Sequence, residues 1–359
     1  MFIRKIVLDN YRSYSHLEIE INSFKNYIYG VNGTGKTSIL EAIYFLSVGR
    51  SFLKTEQGSL IKFDTKYAKA SILLEDKKEK HILAALLTKD GKDFYLDDNK
   101  LKNVSELLSY LSAFYFNPES VFLFKEEPAL RRKLFDIVLC QIDKKYLYSL
   151  SRYKKILKER NLALSKGYDQ DVIDVLRDEL VNLSYYIVYQ RRKVVSFINK
   201  EISQIYSQIF GSEREVKLLY KTTSPLDDDK DEFINSAKKI FDLNKSRENI
   251  SKMTLIGPHR DNFILSLDNK DISFYSSQGE NRIGALALKL TLHKYESLIL
   301  NKVPIFLLDD ILSDLDDDKK RNLLNYLDDK MQVFITGVNK IDLPTYDLFE
   351  IQDHQIRRI

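Results

Sequence analysis

Gly30-Val31-Asn32-Gly33-Thr34-Gly35-Lys36-Thr37 fits the pattern G-x-x-x-x-G-K-[ST] at every fixed position. The chemistry this spacing suits is the binding of phosphate. Glycine at 30, 33 and 35 lets the backbone turn its N–H groups inward with no Cβ in the way. A helix that starts at the end of the loop adds the positive end of its dipole. Lys36 has the reach for β- and γ-phosphates, and the Thr37 hydroxyl can hold Mg²⁺. Gly30, Asn32, Gly33, Thr34, Gly35 and Ser38 complete the expected phosphate-binding set. A random chain of this length matches the four fixed positions about 1% of the time, so the flanks matter. Tyr27-Ile28-Tyr29 reads as a buried strand and Ser38 to Leu46 has helical spacing. Strand, loop and helix are the context that makes nucleotide binding the expected role.

A second group of residues lies far along the chain. Val303 to Leu308 is fully apolar and runs into Asp309-Asp310, with Ser313-Asp314-Leu315-Asp316 close behind. Acids often sit where strands end. A strand this apolar ending in two carboxylates is better read as the Walker B arrangement. Asp309 would hold Mg²⁺, directly or through water, and Asp310 would polarise the attacking water. Upstream, Tyr275-Ser276-Ser277-Gln278-Gly279-Glu280 opens a helical stretch over residues 280 to 299. Serine and glycine at a helix start can hold an anion on free N–H groups, although alone they would be an ordinary cap.

The elements that must carry these groups follow from periodicity. Residues 2 to 9, 16 to 21, 67 to 74, 80 to 88 and 93 to 96 read as strands, with Asp90-Gly91-Lys92 as a hairpin turn. Pro128 to Leu164 contains no glycine and no proline beyond its first residue, and its apolar residues have helical spacing. Read as one continuous helix it would be ~55 Å long at 1.5 Å per residue. Ser165 to Asp169 breaks the pattern, and a second long helix runs from Val172 to Ile209 and ends at Gly211. A short connection between two long helices implies an antiparallel hairpin. Residues 225 to 234 read as an acidic loop or helix cap, strand character returns over residues 251 to 268, and residues 303 to 308 and 331 to 336 are buried strands. Three segments are expected: an N-terminal ATPase half over 1–116, a helical lobe over 117–250 and a C-terminal ATPase half over 251–359.

Bulk composition narrows the class. The 359 residues exceed what one core usually serves, and 44% hydrophobic content is that of a folded chain. A single cysteine, Cys140, excludes an internal disulfide and fits a reducing cytoplasm. No apolar run approaches the ~20 residues of a membrane helix, and the charged N-terminus lacks a signal core.

Phosphate loop, serine-glycine signature, Walker B and Ser-Asp-Leu-Asp occur in the order found in ABC-type ATPases, which the chain resembles. The resemblance implies an α/β fold: an ABC-type P-loop ATPase head with a mixed sheet, helices and an inserted helical-hairpin lobe. It implies that Ser277 and Gly279 contact a γ-phosphate on the opposite subunit, so that two ATP are sandwiched in a homodimer. It places Thr336 where the family often has a histidine facing the γ-phosphate. Asn10-Tyr11-Arg12-Ser13-Tyr14 resembles the opening motif of the SMC and RecF branch, whose arginine reaches phosphates. The insertion of roughly 90 residues is far shorter than SMC coiled coils. Phe116-Asn117-Pro118-Glu119-Ser120, Arg131-Arg132-Lys133-Leu134-Phe135-Asp136, Gly257-Pro258-His259-Arg260-Asp261 and the Leu307 to Asp316 run are similar to the RecF family. Three positions depart from it: Asp310 stands for the usual glutamate, Glu280 for the usual glutamine and Asn262 for a common second acid.

Charge adds a separate signal. Residues 121 to 160 carry eleven Lys or Arg against five acids, in a chain whose net charge is +4. Arg131, Arg132, Lys133, Lys154 and Lys155 stand out, and Arg191-Arg192-Lys193 follows on the returning helix. Such a stripe suits phosphate contacts with duplex DNA without base readout, although a solvated helix face has the same pattern. The RecF resemblance favours DNA and implies a role in gap repair with RecR, RecO and RecA. The expected function is a weak, DNA-stimulated ATPase that closes as a dimer on duplex DNA. Another short-coil ABC ATPase, of phage-defence type, and a non-catalytic ATP-dependent dimerisation switch are the alternatives.

Overall fold

A computed structural model describes residues 2–53, 57–76, 79–327 and 331–359. In chain order the elements are β1 (Phe2–Tyr11), β2 (Tyr14–Glu20), β3 (Lys25–Tyr29), α1 (Lys36–Val48), β4 (Tyr67–Asp76), β5 (Glu79–Thr88), β6 (Lys92–Leu96), β7 (Asn99–Lys100), α2 (Val104–Leu107) and β8 (Ala113–Phe116). Next come α3 (Pro128–Ile142), α4 (Lys144–Lys166), α5 (Gln170–Phe210), β9 (Val216–Lys221), α6 (Lys230–Ser251), β10 (Asn262–Leu267), β11 (Lys270–Asp271), α7 (Ile272–Tyr275) and α8 (Gln278–Leu300). The chain ends with β12 (Ile305–Leu308), α9 (Asp317–Tyr326), β13 (Val333–Gly337), β14 (Asp347–Gln352) and β15 (Gln355–Arg358).

These elements form two compact units: residues 1–121, 207–212 and 293–359, and residues 122–206 and 213–292. The Ser277 segment belongs to the second of these units.

The first unit holds two six-stranded sheets. One is antiparallel in the order β2-β1-β4-β5-β6-β7, and the other runs β15-β14-β3-β13-β12-β8. In the second sheet β14, β3, β13, β12 and β8 are parallel, and β15 closes one edge antiparallel. Strands buried on both faces read as apolar runs, which is why Ile305–Leu308 and Val333–Gly337 are buried at every position. α1 packs its apolar face into a core shared by both sheets, with Ile39, Leu40, Ile43 and Leu46 beside Ile6, Ile72, Leu83 and Leu307. The fold is thus mixed α/β, and the phosphate loop joins the sheet's β3 to this central helix.

The second unit combines α3 to α6 with a three-stranded sheet ordered β11-β10-β9. The expected continuous helix from 128 to 164 is two helices. Asp143 breaks it with an extended backbone (φ −141°, ψ 103°), and its carboxylate accepts the N–H groups of Lys145 and Tyr146 at 2.8 and 3.0 Å. An aspartate cap interrupts a helix without glycine or proline because it satisfies the orphan donors of the next one. Gly167 ends α4 in the left-handed region (φ 66°), as the sequence break implied. α4 and α5 are antiparallel: Arg152 meets Glu179, and Tyr146, nearer the start of α4, meets Arg191 further along α5. α6 was not expected from the sequence. Its buried apolar face is Phe233, Ala237 and Phe241, with Ile234 and Ile240 packed beside them, and Asp229 caps it.

Candidate nucleotide site

The phosphate loop leaves β3 at Tyr29 and enters α1 at Lys36. Gly35 sits at the helix cap with φ 100°, a left-handed conformation that favours glycine. A Cβ there would lie 2.6 Å from the Tyr14 hydroxyl oxygen, so two separate constraints require glycine. Tyr14 donates its hydroxyl to the Thr34 carbonyl at 3.2 Å, and His354 Nδ1 lies 3.1 Å from the same oxygen. The Thr34 hydroxyl donates to the Val31 carbonyl. These bonds fix the loop from outside. Lys36 Nζ donates to the carbonyls of Gly30 at 2.6 Å and Val31 at 2.9 Å. Burial draws the Lys36 ammonium below its ordinary value, and the charges of Asp310 and Asp309 oppose that shift.

One cleft in the first unit is lined by Arg12, Asn32, Gly33, Gly35, Lys36, Thr37, Ser38, Asp309 and Asp310 of the expected site, together with Ser13. Residues 36 and 309, distant in sequence, thus face one space. β12 carries Asp309 to the sheet's end beside α1. Thr37 Oγ1 donates to Asp309 Oδ1 at 3.1 Å. A hydroxyl and a carboxylate at this separation are a hard-oxygen pair, the donor set Mg²⁺ takes when phosphates and waters supply its other ligands. No cluster of three or more metal-ligating side chains occurs among the described residues, and a site of this kind does not need one.

Asp309 is also held by Thr336 Oγ1 at 2.6 Å and by the Tyr115 hydroxyl, which donates to Oδ2 at 3.0 Å. The strand order β13-β12-β8 explains this, because Thr336 and Tyr115 lie on the two strands flanking β12. Burial, then the Asp309 charge, pushes the Tyr115 hydroxyl far up, so it stays a donor. Thr336 is fully buried and its hydroxyl also accepts the Asp310 N–H at 3.0 Å. The Thr336 hydroxyl thus lies between the two aspartates, donating to one and accepting from the backbone of the other. Asp310 has φ 50°, the left-handed turn that takes the chain off β12. Burial raises its carboxyl above the usual range, opposed by the Ser313 hydroxyl bond.

Arg12 lines the cleft but is not free to reach across it. Glu41 on α1 takes its Nη2 and Nε at 2.6 and 2.8 Å, and Ser59 accepts Nη1. Glu41 is completely buried, so the arginine neutralises an internal carboxylate first. Glu41 and Tyr115 were not anticipated; an acid inside the apolar face of α1 was the available signal for the former.

In the second unit, the Ser277 segment forms a capping box. Glu280 accepts the Ser277 N–H at 2.9 Å, and Ser277 Oγ accepts the Glu280 N–H at 3.2 Å. Arg214 adds an ion pair to Glu280 at 3.3 Å. The Ser277 N–H, then burial acting against it, set the Glu280 carboxyl below its ordinary value. Gly279 opens α8 beside this box.

The basic stripe divides into buried and exposed groups. Arg131 is buried, donating to the carbonyls of Leu123, Phe124 and Glu126 and to Asn262. Its Nη1 closes the turn before α3 and its Nε is tied to Asn262. Arg132 donates to the Asp261 carbonyl at 2.7 Å and is half-buried. Arg191 is fully buried between Asp136 at 2.7 Å, Asp261 at 2.6 Å and the Pro258 carbonyl. The Gly257 to Asp261 block is thus the anchor of this network. Lys133, Lys154 and Lys155 are exposed, as are Lys144, Lys145 and Lys158. Lys154, Lys155 and Lys158 share one face of α4.

Comparison with known proteins agrees with this arrangement. The model of the RecF/RecN/SMC N terminal domain family matches residues 2–347. The DNA replication and repair protein RecF of Clostridium botulinum is 34% identical over 346 residues, 95% of each chain. That of Agathobacter rectalis is 36% identical over 351 residues, covering 95% of this chain and 93% of its own. Among solved structures, the recombination mediator protein RecF with ATP, of the RecFOR pathway, gives a TM-score of 0.92 at 29% identity, covering 100% of this chain and 97% of that one. The Smc head domain of Pyrococcus furiosus gives 0.57 at 16% identity, covering 100% and 96%, a likeness of fold alone. The chain belongs to the RecF/RecN/SMC N-terminal domain family, and within it to the RecF proteins of DNA replication and repair.

Proposed function

We propose that the protein is an ATP-driven clamp for duplex DNA at gaps, closing as a homodimer with ATP and reopening on hydrolysis. The observation that carries this is the meeting of Thr37 and Asp309 at 3.1 Å beside Lys36 and Asp310. Phosphate loop and acidic strand end together form one half of a hydrolytic site. Thr37 and Asp309 would hold Mg²⁺, which when bound offsets charge on the β- and γ-phosphates. Lys36 exchanges its two loop carbonyls for phosphate oxygens. Asp310, raised by burial, orients the attacking water and accepts its proton. Asp309 stays fixed because three hydroxyls hold it. The Ser277 hydroxyl, which accepts from Glu280 N–H, still has its own hydrogen to donate to a γ-phosphate on a second copy.

The exposed lysines of α4 supply the sequence-independent DNA contact. The RecF relatives of DNA replication and repair and the RecF structure of the RecFOR pathway support a repair role; on our reading that role is gap repair, with RecR as direct partner and RecO and RecA in the pathway. No described helix is long and apolar enough to cross a membrane; we place the protein in the cytoplasm with its DNA.

The test is gel filtration with ATP or ADP and a turnover assay with and without gapped duplex, on wild type, Lys36→Arg and Asp310→Asn. Wild type should dimerise with ATP and Mg²⁺ and turn over slowly, faster with DNA. Lys36→Arg should fail to dimerise, and Asp310→Asn should dimerise and not turn over. A wild type that stays monomeric with ATP overturns the clamp, and normal turnover by Asp310→Asn overturns the role of that carboxylate.

A further inference from the structure

Asp353 and His354 form the two-residue turn between β14 and β15, with Gln352 paired to Gln355 across it. Both turn residues have positive φ, 49° and 59°. Tight hairpins favour this backbone, and glycine or asparagine adopts it most readily. A histidine here accepts the crowding of the left-handed region, and its ring serves a site outside the hairpin. Its Nδ1 lies 3.1 Å from the Thr34 carbonyl oxygen, and the ring stands edge-on to Tyr14, with 5.8 Å between centroids and 82° between planes. A carbonyl oxygen only accepts, so Nδ1 carries the hydrogen. The Tyr14 hydroxyl donates to the same oxygen at 3.2 Å. The hairpin also meets the start of the loop, because a Cβ at Gly30 would run into the Ile351 carbonyl oxygen.

Thr34 and Gly35 share one peptide unit, and a trans peptide points its C=O and N–H in opposite directions. Two donors that hold the Thr34 oxygen outside the loop therefore aim the Gly35 N–H the other way, toward the cleft that Gly35 lines. Gly35 is also the residue whose φ is least restrained. Rotation of this peptide, which would turn the N–H away, meets little steric resistance at that end. We propose that His354 is a positioning residue for phosphate binding: with Tyr14 it keeps the Thr34–Gly35 peptide turned so that the Gly35 N–H faces the bound phosphates. This rests on the nucleotide reading above. His354 acts through Thr34 and not on the nucleotide.

The experiment is calorimetric titration of the full chain with ATP and with inorganic tripolyphosphate, as wild type, His354→Gly and His354→Asn, with a thermal melt of each. Glycine suits the left-handed turn and removes the donor. Asparagine also suits it and places an N–H donor where the histidine has Nδ1. His354→Gly should weaken both probes by the same factor, roughly threefold to tenfold for one lost hydrogen bond, with no fall in melting temperature. His354→Asn should recover most of that loss. Wild-type affinity for both probes in His354→Gly overturns the proposal. A loss confined to ATP overturns it, because the histidine would then serve the base or sugar. A loss that asparagine leaves uncorrected, or one that comes only with an earlier melt, overturns it too. Wild type that binds neither probe overturns the nucleotide reading itself, a distinguishable result.

Discussion

Thr336 donates its hydroxyl to Asp309 at 2.6 Å, and the same oxygen accepts the Asp310 N–H at 3.0 Å. One buried hydroxyl therefore sets both the carboxylate that would hold the metal and the backbone turn that aims the next one. Thr336→Val keeps the β-branched shape and removes the hydroxyl. It leaves an N–H without its acceptor, at a cost of about 1–3 kcal/mol. Turnover should fall by at least tenfold with ATP affinity changed much less, and Thr336→Ser should restore it. Thermal unfolding and single-turnover assays check both halves; wild-type turnover in Thr336→Val would show that the tie is dispensable.

The contrast between Lys36 and Thr336 explains what could be read in advance. The phosphate loop and the Asp309-Asp310 pair are contiguous, and their chemistry requires fixed local spacing. Thr336 and Tyr115 reach Asp309 because β13 and β8 flank β12, a relation of sheet order that residue spacing does not encode. The two long helical patterns were legible from periodicity, whereas the Asp143 cap between α3 and α4 looked like one more polar position. Charge counts do not show burial, for a different reason. Arg131 and Arg191 look like surface cations in a basic stretch, and the side chains that hold them, Asn262 and Asp261, come from distant segments.

Glu280 stands where the RecF family usually has glutamine, and its carboxylate accepts the Ser277 N–H and pairs with Arg214. Glu280→Gln preserves the capping box, which takes either residue, and removes the charge. Stability should stay within about 1 kcal/mol, and ATP-dependent dimerisation should strengthen. Glu280→Ala should lose about 1 kcal/mol through the lost cap. Sedimentation with ATP and thermal melts separate the two; weaker dimerisation in Glu280→Gln would mean the negative charge helps closure.

The basic residues make opposite predictions by burial. Arg191→Met breaks a buried network and leaves Asp136 and Asp261 without their cation, at about 3–5 kcal/mol. The helical unit should melt earlier. Lys154→Glu with Lys155→Glu touches only exposed side chains whose ion pairs span 4.0 Å and contribute little. Their stability should be unchanged. Duplex affinity should drop, and if both contact phosphates the salt slope should shrink by about 1.8. Equal DNA binding by the double variant would move the DNA surface off α4.

A buried carboxyl gives a prediction in pH. Glu296, in the second half of α8, is fully buried, and burial pushes it up to about 8, with the Ser112 hydroxyl a smaller opposing influence. The folded chain keeps this proton up to about 8 while the unfolded chain releases it near 4.5. Its contribution is therefore fully present below 4.5 and is lost as pH rises through 8. His293, one turn earlier, runs the other way: burial lowers it to about 4, so its contribution is lost as pH falls from 6.5. Glu296→Gln isolates the carboxyl. The stability difference between wild type and Glu296→Gln should fall with rising pH between 4.5 and 8, by at most about 1.4 kcal/mol per pH unit. Denaturant melts at four or five pH values measure it; a difference independent of pH would mean Glu296 ionises in the folded chain as it does in the unfolded one.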